Sequence, residues 1–262
     1  MLFEAGTTFA DETLEPSRSG RRKRPITYGS YGGGHARLPR GIKLEDVNWI
    51  AIRGFTVSGG SEAVIGSPDG SGARHVTIEH NLLHNVDVGV YSANPRDAGW
   101  TIRDNTISQT GDSGMILYGS DFSVTGNSIT DTGTDSSISY GKHGIYLKVV
   151  GARVTGNTIR RFHANGVSVR YRNSVIDDNV IADGPIGIAW FQYDHSPGTS
   201  YWRHNTISGT TSANVYVSSS DIGGPTRESF VITDNRLSKR SGVYTNLKPT
   251  TGRYTVRGNR QN

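Results

Sequence analysis

No cysteine occurs in the 262 residues, which excludes disulfides and thiolate metal sites and leaves the redox compartment open. No apolar run is long enough to form a membrane-spanning helix. Hydrophobic residues make up only 34% of a chain that carries 34 glycines, a balance that would mean disorder if the apolar residues were scattered. They recur in register instead, which a narrow continuous core explains better. Met1–Gly6 has no basic stretch followed by an apolar one, so it reads as a strand already inside a fold rather than a leader. Arg253–Asn259 stops partway through a repeat. Both ends therefore read as cuts in a longer solenoid, and the first and last rungs are expected to be the most mobile or to pair with another molecule.

A short phrase returns along the chain: a β-run, an Asn, an Ile or Leu, then a turn and a Gly-aliphatic-X-aliphatic run. The Asn copies are Asn81, Asn105, Asn127, Asn157, Asn179, Asn205, Asn235 and Asn259, separated by 24, 22, 30, 22, 26, 30 and 24 residues. A period in the low twenties identifies a solenoid ahead of any local assignment, and most repeats are too short for a helix plus a strand. Around Asn157, residues 153–155 form one strand, 158–160 a second and 166–170 a third, with Val154, Ile159, Val167 and Val169 turned inward by alternation. The expectation is an all-β, single-domain parallel coil over residues 1–262, with an opening rung in 1–41 and about eight to nine rungs in total. Stacked Asn amides can bond to one another from rung to rung, and Asn tolerates the left-handed backbone of a tight corner. Gly54 fills that corner in the first full rung. These Asn are structural, not catalytic.

The formal charge of +5 has one local origin: Arg18, Arg21, Arg22, Lys23 and Arg24, which leave 23 Lys and Arg against 23 Asp and Glu. No aromatic residue interleaves the run, so it reads as a solvated loop before Pro25, and the basic pI argues little for a nucleic-acid partner.

The repeat resembles the right-handed parallel β-helix of the pectate-lyase-like superfamily over nearly the whole chain, and residues 24–32 are similar to the opening rung of its secreted members. The resemblance implies a secreted or cell-surface location and a substrate groove on the sheet of Gly-aliphatic strands. It does not assign an activity, because lyases, hydrolases, epimerases, adhesins and phage spikes share the fold.

Aligning those strands on Val64, Val90, Met115, Ile145, Val167, Ile188, Val215 and Val243 gives outward columns. The position before each anchor is Gly in five of the first six rungs (Gly89, Gly114, Gly144, Gly166 and Gly187), which predicts a shallow trough along the axis. The position after it gives Tyr91, Tyr146, Tyr216 and Tyr244. Two further on stand Tyr118, Lys148, Arg170 and Phe191. Aromatic rings take the C–H faces of sugars and cations take carboxylates or sulfates, so an acidic polysaccharide is the expected partner. Contacts to it fall to Tyr91, Arg172, Phe191, Tyr193, Asp194, His195, Tyr216 and Tyr244.

Lys148 and Arg170 share a register on successive rungs, about 4.8 Å apart at Cα. Two like charges that close favour an uncharged amine, which is a better base. Cleaving a uronate chain by β-elimination needs a neutralised carboxylate, a base for the adjacent C–H and an acid for the leaving oxygen. Lys148 as base, Arg170 as clamp or acid, and Tyr118 or Tyr146 would supply them. His143 reads either as a satisfied corner histidine or as a proton shuttle to Tyr146. The spacing is similar to the Lys-then-Arg pair of polysaccharide lyase family six. That family places acidic calcium ligands shortly before its lysine, whereas residues 139–146 hold no carboxylate, so no metal ligand is assigned and calcium stays open. Inserts at 133–140, 191–195 and 218–229 are expected beside the same face. The rival chemistry is glycoside hydrolysis by Asp194 and Asp221, and the non-enzymatic alternative is a glycan-binding or structural β-helix.

Overall fold

The computed structural model describes residues 1–139, 141–193, 195–218, 227–238, 243–246 (backbone only) and 253–261. Among them there is no helix. The chain is a parallel β-helix of about nine turns. Each turn contributes a strand to three faces, and each strand pairs in parallel with its counterparts in the turns before and after. The first face is an eleven-stranded ladder from Leu2–Glu4 to Tyr254–Arg257. The second carries Leu82–Val86, Thr106–Thr110, Ser128–Thr132 and Thr158–Phe162. The third carries Glu62–Gly66, Val88–Ser92, Met115–Ser120, Ile145–Val150 and Asn165–Val169. Two long strands, Val180–Phe191 and Thr206–Ser218, run on from the second face into the third and merge them into one seventeen-stranded sheet.

Alternation fills the interior with aligned columns. Ile52, Ile78, Ile102, Val124, Val154 and Ile176 stack from the first face, and Leu83, Ile107, Ile129, Ile159, Ile181 and Ile207 from the second, all essentially inaccessible to solvent. Large rings also fill the core. Trp100 and Phe122 stack at 5.5 Å, and the Trp100 and Trp202 indoles donate to Ala73 O and Ser174 Oγ, each at 2.9 Å.

The eight Asn form one ladder. Asn127 Nδ2 donates to Asn157 Oδ1 (2.9 Å) and to Ile102 O (2.9 Å), while its own Oδ1 accepts from Asn105 N and Asn105 Nδ2, both at 3.0 Å. The same pattern runs from Asn81 to Asn259. The left-handed residue of this corner is not the Asn but the residue before it. Gly54, His80, Asp104, Gly126, Gly156, Asp178, His204, Asp234 and Gly258 all have φ between 54° and 73°. Gly54 therefore aligns with His80, and Phe55 holds the ladder position of the first full rung, its N–H donating to Asn81 Oδ1 at 3.0 Å.

The glycine column also corrects an expectation. A Cβ on Gly144 would lie 2.4 Å from Ile159 Cγ2 and 2.5 Å from Gly166 O, and one on Gly166 would lie 2.4 Å from Ile181 Cγ2. These positions face the core, not solvent. Their missing side chains let the third face close on the isoleucine column of the second, and they do not open an outward trough.

Candidate active-site groove

A groove of about 550 Å³ does lie on the third face. It is bounded by corner loops and by outward side chains of successive rungs. Strand pairing puts Tyr91 beside Ile116, Ile116 beside Tyr146 and Tyr118 beside Lys148. The register Leu147↔Val169 continues one step further, where Arg170 N donates to Leu147 O at 2.9 Å. Lys148 and Arg170 are thus neighbours on successive rungs, and both line the groove.

Aromatic rings surround the two cations. The Lys148 ammonium lies 4.9 Å from the Tyr118 ring, 5.6 Å from Tyr146 and 4.7 Å from Tyr193. The Arg170 guanidinium lies 5.3 Å from Tyr146 and 4.9 Å from Phe191. Ring quadrupoles attract a cation at these distances and hold it without neutralising it. Tyr146 therefore sits between the amine and the guanidinium. Burial, and then the Tyr193 phenol, push the Tyr118 hydroxyl up from its ordinary pKa, with Arg170 pulling the other way. Burial raises Tyr91 as well, with Tyr118, Glu62 and Asp112 adding to it.

His143 is buried at the groove floor. Its backbone N–H donates to Ser113 Oγ at 3.0 Å, and its Nδ1 accepts from Asn165 N at 3.3 Å. The ring stacks on Tyr146 at 5.2 Å and 15°. Burial, and secondarily Arg170, lower its pKa to about 3, so it is neutral. Of its two expected roles, this geometry favours the satisfied corner histidine, which holds Tyr146 in place.

The remaining expected residues divide by position. Tyr91 lies 6.3 Å from Tyr118 inside the groove. Phe191 continues it past Arg170 and meets Tyr216 at 5.4 Å. Tyr193 is exposed above Lys148 and packs on Tyr171 at 5.8 Å. Arg172 lies beyond, at the turn where its O accepts from Gly151 N (3.1 Å), and His195 Nδ1 meets Gln192 Nε2 at 2.6 Å. Tyr244 pairs in register with Tyr216. Asp194 and Asp221 lie outside the described residues, as do Tyr140 and much of the third insert. Ile138 of the first insert and Gly141 just after it do border the groove.

Three carboxylates in the groove were not anticipated: Glu62, Asp87 and Asp112. Asp112 Oδ1 accepts from Ser113 Oγ (2.7 Å) and Lys142 N (2.8 Å). For Asp87 and Asp112 the repeat itself carries a signal. Counting three positions back from the aliphatic anchor gives Ser61, Asp87, Asp112 and Lys142, a column at the corner rather than on the strand.

The family described as "Periplasmic copper-binding protein (NosD)" matches residues 29–197. No curated protein matches in sequence. Among solved structures, the chain is similar to a tailspike protein of the E. coli bacteriophage HK620 (TM-score 0.69, 13% identity, 90% of this chain and 50% of that one). It is also similar to an alginate lyase from Paenibacillus sp. str. FPU-7 (0.57, 14%, 99% and 87%) and to a lacto-N-biosidase from Eubacterium ramulus (0.60, 13%, 99% and 61%). The chain spans about half the length of the tailspike, and at these identities the likeness establishes the fold.

The family description implies copper, and the donors present do not fit it. The chain has no cysteine, and Met115 is sealed in the core, so the soft ligands that select copper(I) are missing from the groove. Among the described residues, Asp177, Asp178 and His204 bring three ligating atoms together. Both oxygens of Asp177 are already engaged there, one by His204 Nδ1 at 2.7 Å and one by Arg203 at 2.8 Å.

Proposed function

The chain belongs to the NosD family, and we propose that it is a carbohydrate-active β-helix protein that cleaves a uronate-containing glycan by β-elimination in the groove over Tyr146. The observation that carries this reading is the placement of Lys148 and Arg170 on adjacent rungs with Tyr146 between them. In the proposed reaction the Lys148 side chain, in its uncharged amine form, removes the proton from the carbon beside the carboxylate. The planar Arg170 fork holds that carboxylate while negative charge spreads onto it. The electron pair forms a carbon–carbon double bond, the glycosidic C–O bond at the next carbon breaks, and the leaving oxygen takes a proton from Tyr118 or Tyr146. Tyr118, its pKa shifted upward by burial, is the protonated phenol in this step. Tyr91, Phe191, Tyr193 and Tyr216 extend the binding face, with Arg172, His195 and Tyr244 toward its far end. The carbohydrate activities named for the alginate lyase and lacto-N-biosidase neighbours support a glycan ligand. The family's description as periplasmic supports action outside the cytoplasm.

Incubation with alginate, pectate, chondroitin and dermatan, followed by ultraviolet absorbance, tests the reading through the unsaturated product. Lys148→Ala is expected to lower turnover by about a hundredfold or more, with glycan binding retained because the amine acts in the transition state. Arg170→Lys should fail as well, since a point charge does not replace the planar fork. Full elimination activity in Lys148→Ala would overturn the assignment. A second reading, hydrolysis, draws on the groove carboxylates Glu62, Asp87 and Asp112, and would give new reducing ends without absorbance. Neither signal would point to a binding or structural role.

A further inference from the structure

The groove is electrically divided between its corner side and the far part of its strands. Glu62, Asp87 and Asp112 line it over the three rungs that begin at Glu62, Val88 and Met115, whereas Lys148 and Arg170 line it over the next two. Between the two ends stand Tyr91 and Tyr118, which carry no charge in their protonated form. Lys142, which follows Asp87 and Asp112 in the corner column one rung on, is buried and does not line the groove. A glycan crossing the groove from Lys148 and Arg170 past Tyr118 and Tyr91 to the corner would meet cations at one end and carboxylates at the other.

Resting on the elimination reading above, we propose that the groove selects glycans in which a uronate alternates with a neutral or amino sugar, and disfavours polymers with a carboxylate on every sugar. A homopolymeric polyuronate that seats one carboxylate on Arg170 would push others against Glu62, Asp87 and Asp112, and like charges brought together in a partly desolvated groove oppose binding. An alternating polymer seats its uronate at Lys148 and Arg170 and can offer hydroxyls, amide N–H groups or an amine to the acidic end, where carboxylates act as acceptors.

The test compares wild-type protein and a Glu62→Gln/Asp87→Asn double variant on two probes, polymannuronate and unsulfated hyaluronan. Binding is read by affinity electrophoresis and cleavage by absorbance of the unsaturated product. Asp112 is left intact because it anchors Ser113 and Lys142. The wild type is expected to favour hyaluronan by about tenfold or more, and the double variant to close that gap by a similar factor. A wild type that prefers polymannuronate, or a ratio unmoved in the double variant, would overturn the selectivity while leaving elimination standing. Loss of all turnover in the double variant, with reducing ends as the wild-type product, would overturn it by making the carboxylates catalytic. Failure of the wild type to bind either probe would overturn the selectivity, while the absorbance screen on alginate, pectate, chondroitin and dermatan decides the elimination reading separately.

Discussion

Two buried titratable side chains pull the acid stability of this protein in opposite directions. Asp97 is almost fully buried, accepts from Ala73 N and Ser92 Oγ (2.7 Å each), and has its pKa raised by burial from 3.8 to about 6. Its contribution is therefore full below 3.8 and lost as pH rises through about 6. His143 is the reverse case: lowered from 6.5 to about 3, it contributes above 6.5 and is lost as pH falls toward 3. At about 1.4 kcal/mol per tenfold change in proton affinity, Asp97 carries on the order of 3 kcal/mol and His143 somewhat more. Asn fits the Asp97 site, because its oxygen still accepts from Ala73 N and its amide can donate to Ser92 Oγ, which has Tyr118 O as an alternative acceptor at 2.6 Å. In urea melts between about pH 4 and pH 7, the advantage of Asp97→Asn over wild type should grow as pH rises. His143→Gln should instead gain on wild type as pH falls. Curves for Asp97→Asn and wild type that stay parallel would mean that Asp97 is not the buried acid described here.

At the scale of the repeat, the Asn ladder and the glycine column do different work on either side of the second face. Asn127→Ala leaves the Asn105 N–H without its acceptor, removes one partner from Asn105 Nδ2 and withdraws a donor from Asn157 Oδ1. Because these groups are buried, water does not replace the lost partners. The expected loss is about 2–4 kcal/mol in chemical denaturation, well above that of an ordinary surface substitution. A change under about 0.5 kcal/mol would show that the ladder is geometric rather than energetic. The ladder was legible in the sequence because one residue type recurs at one spacing. The left-handed corner was misplaced by one residue because it is filled by a mixture of Gly, Asp and His, types that share a tolerance for positive φ and no visible pattern. The glycine column was legible as a column, but its direction was not, since period-2 alternation breaks at the corner where those glycines stand.

Over the whole molecule, the third face is long. From the rung of Glu62 to the rung of Phe191 it spans six strands, about 24 Å at the parallel strand spacing. Under the glycan reading proposed above, a ligand that uses this length is an oligosaccharide of several sugars. Calorimetry with oligosaccharides of increasing size should show affinity rising by about tenfold or more before it levels off once the groove is spanned. Affinity independent of length would confine recognition to the Lys148–Arg170 end.

The sequence by itself determined the architecture, because a solenoid repeats one local solution to burying apolar side chains, and each copy prints the same alternation, the same Asn and the same spacing. It also placed Lys148 beside Arg170 and Tyr118 beside Lys148, since strand register is set by counting. Only the tertiary structure decided what the loops do. Tyr193 reaches back over Lys148, the neutral His143 stacks beneath Tyr146, and Glu62, Asp87 and Asp112 form an acidic end to the same groove. Loop residues carry no periodicity, and their side chains are directed by insert length and corner geometry, which exist only once successive turns have stacked.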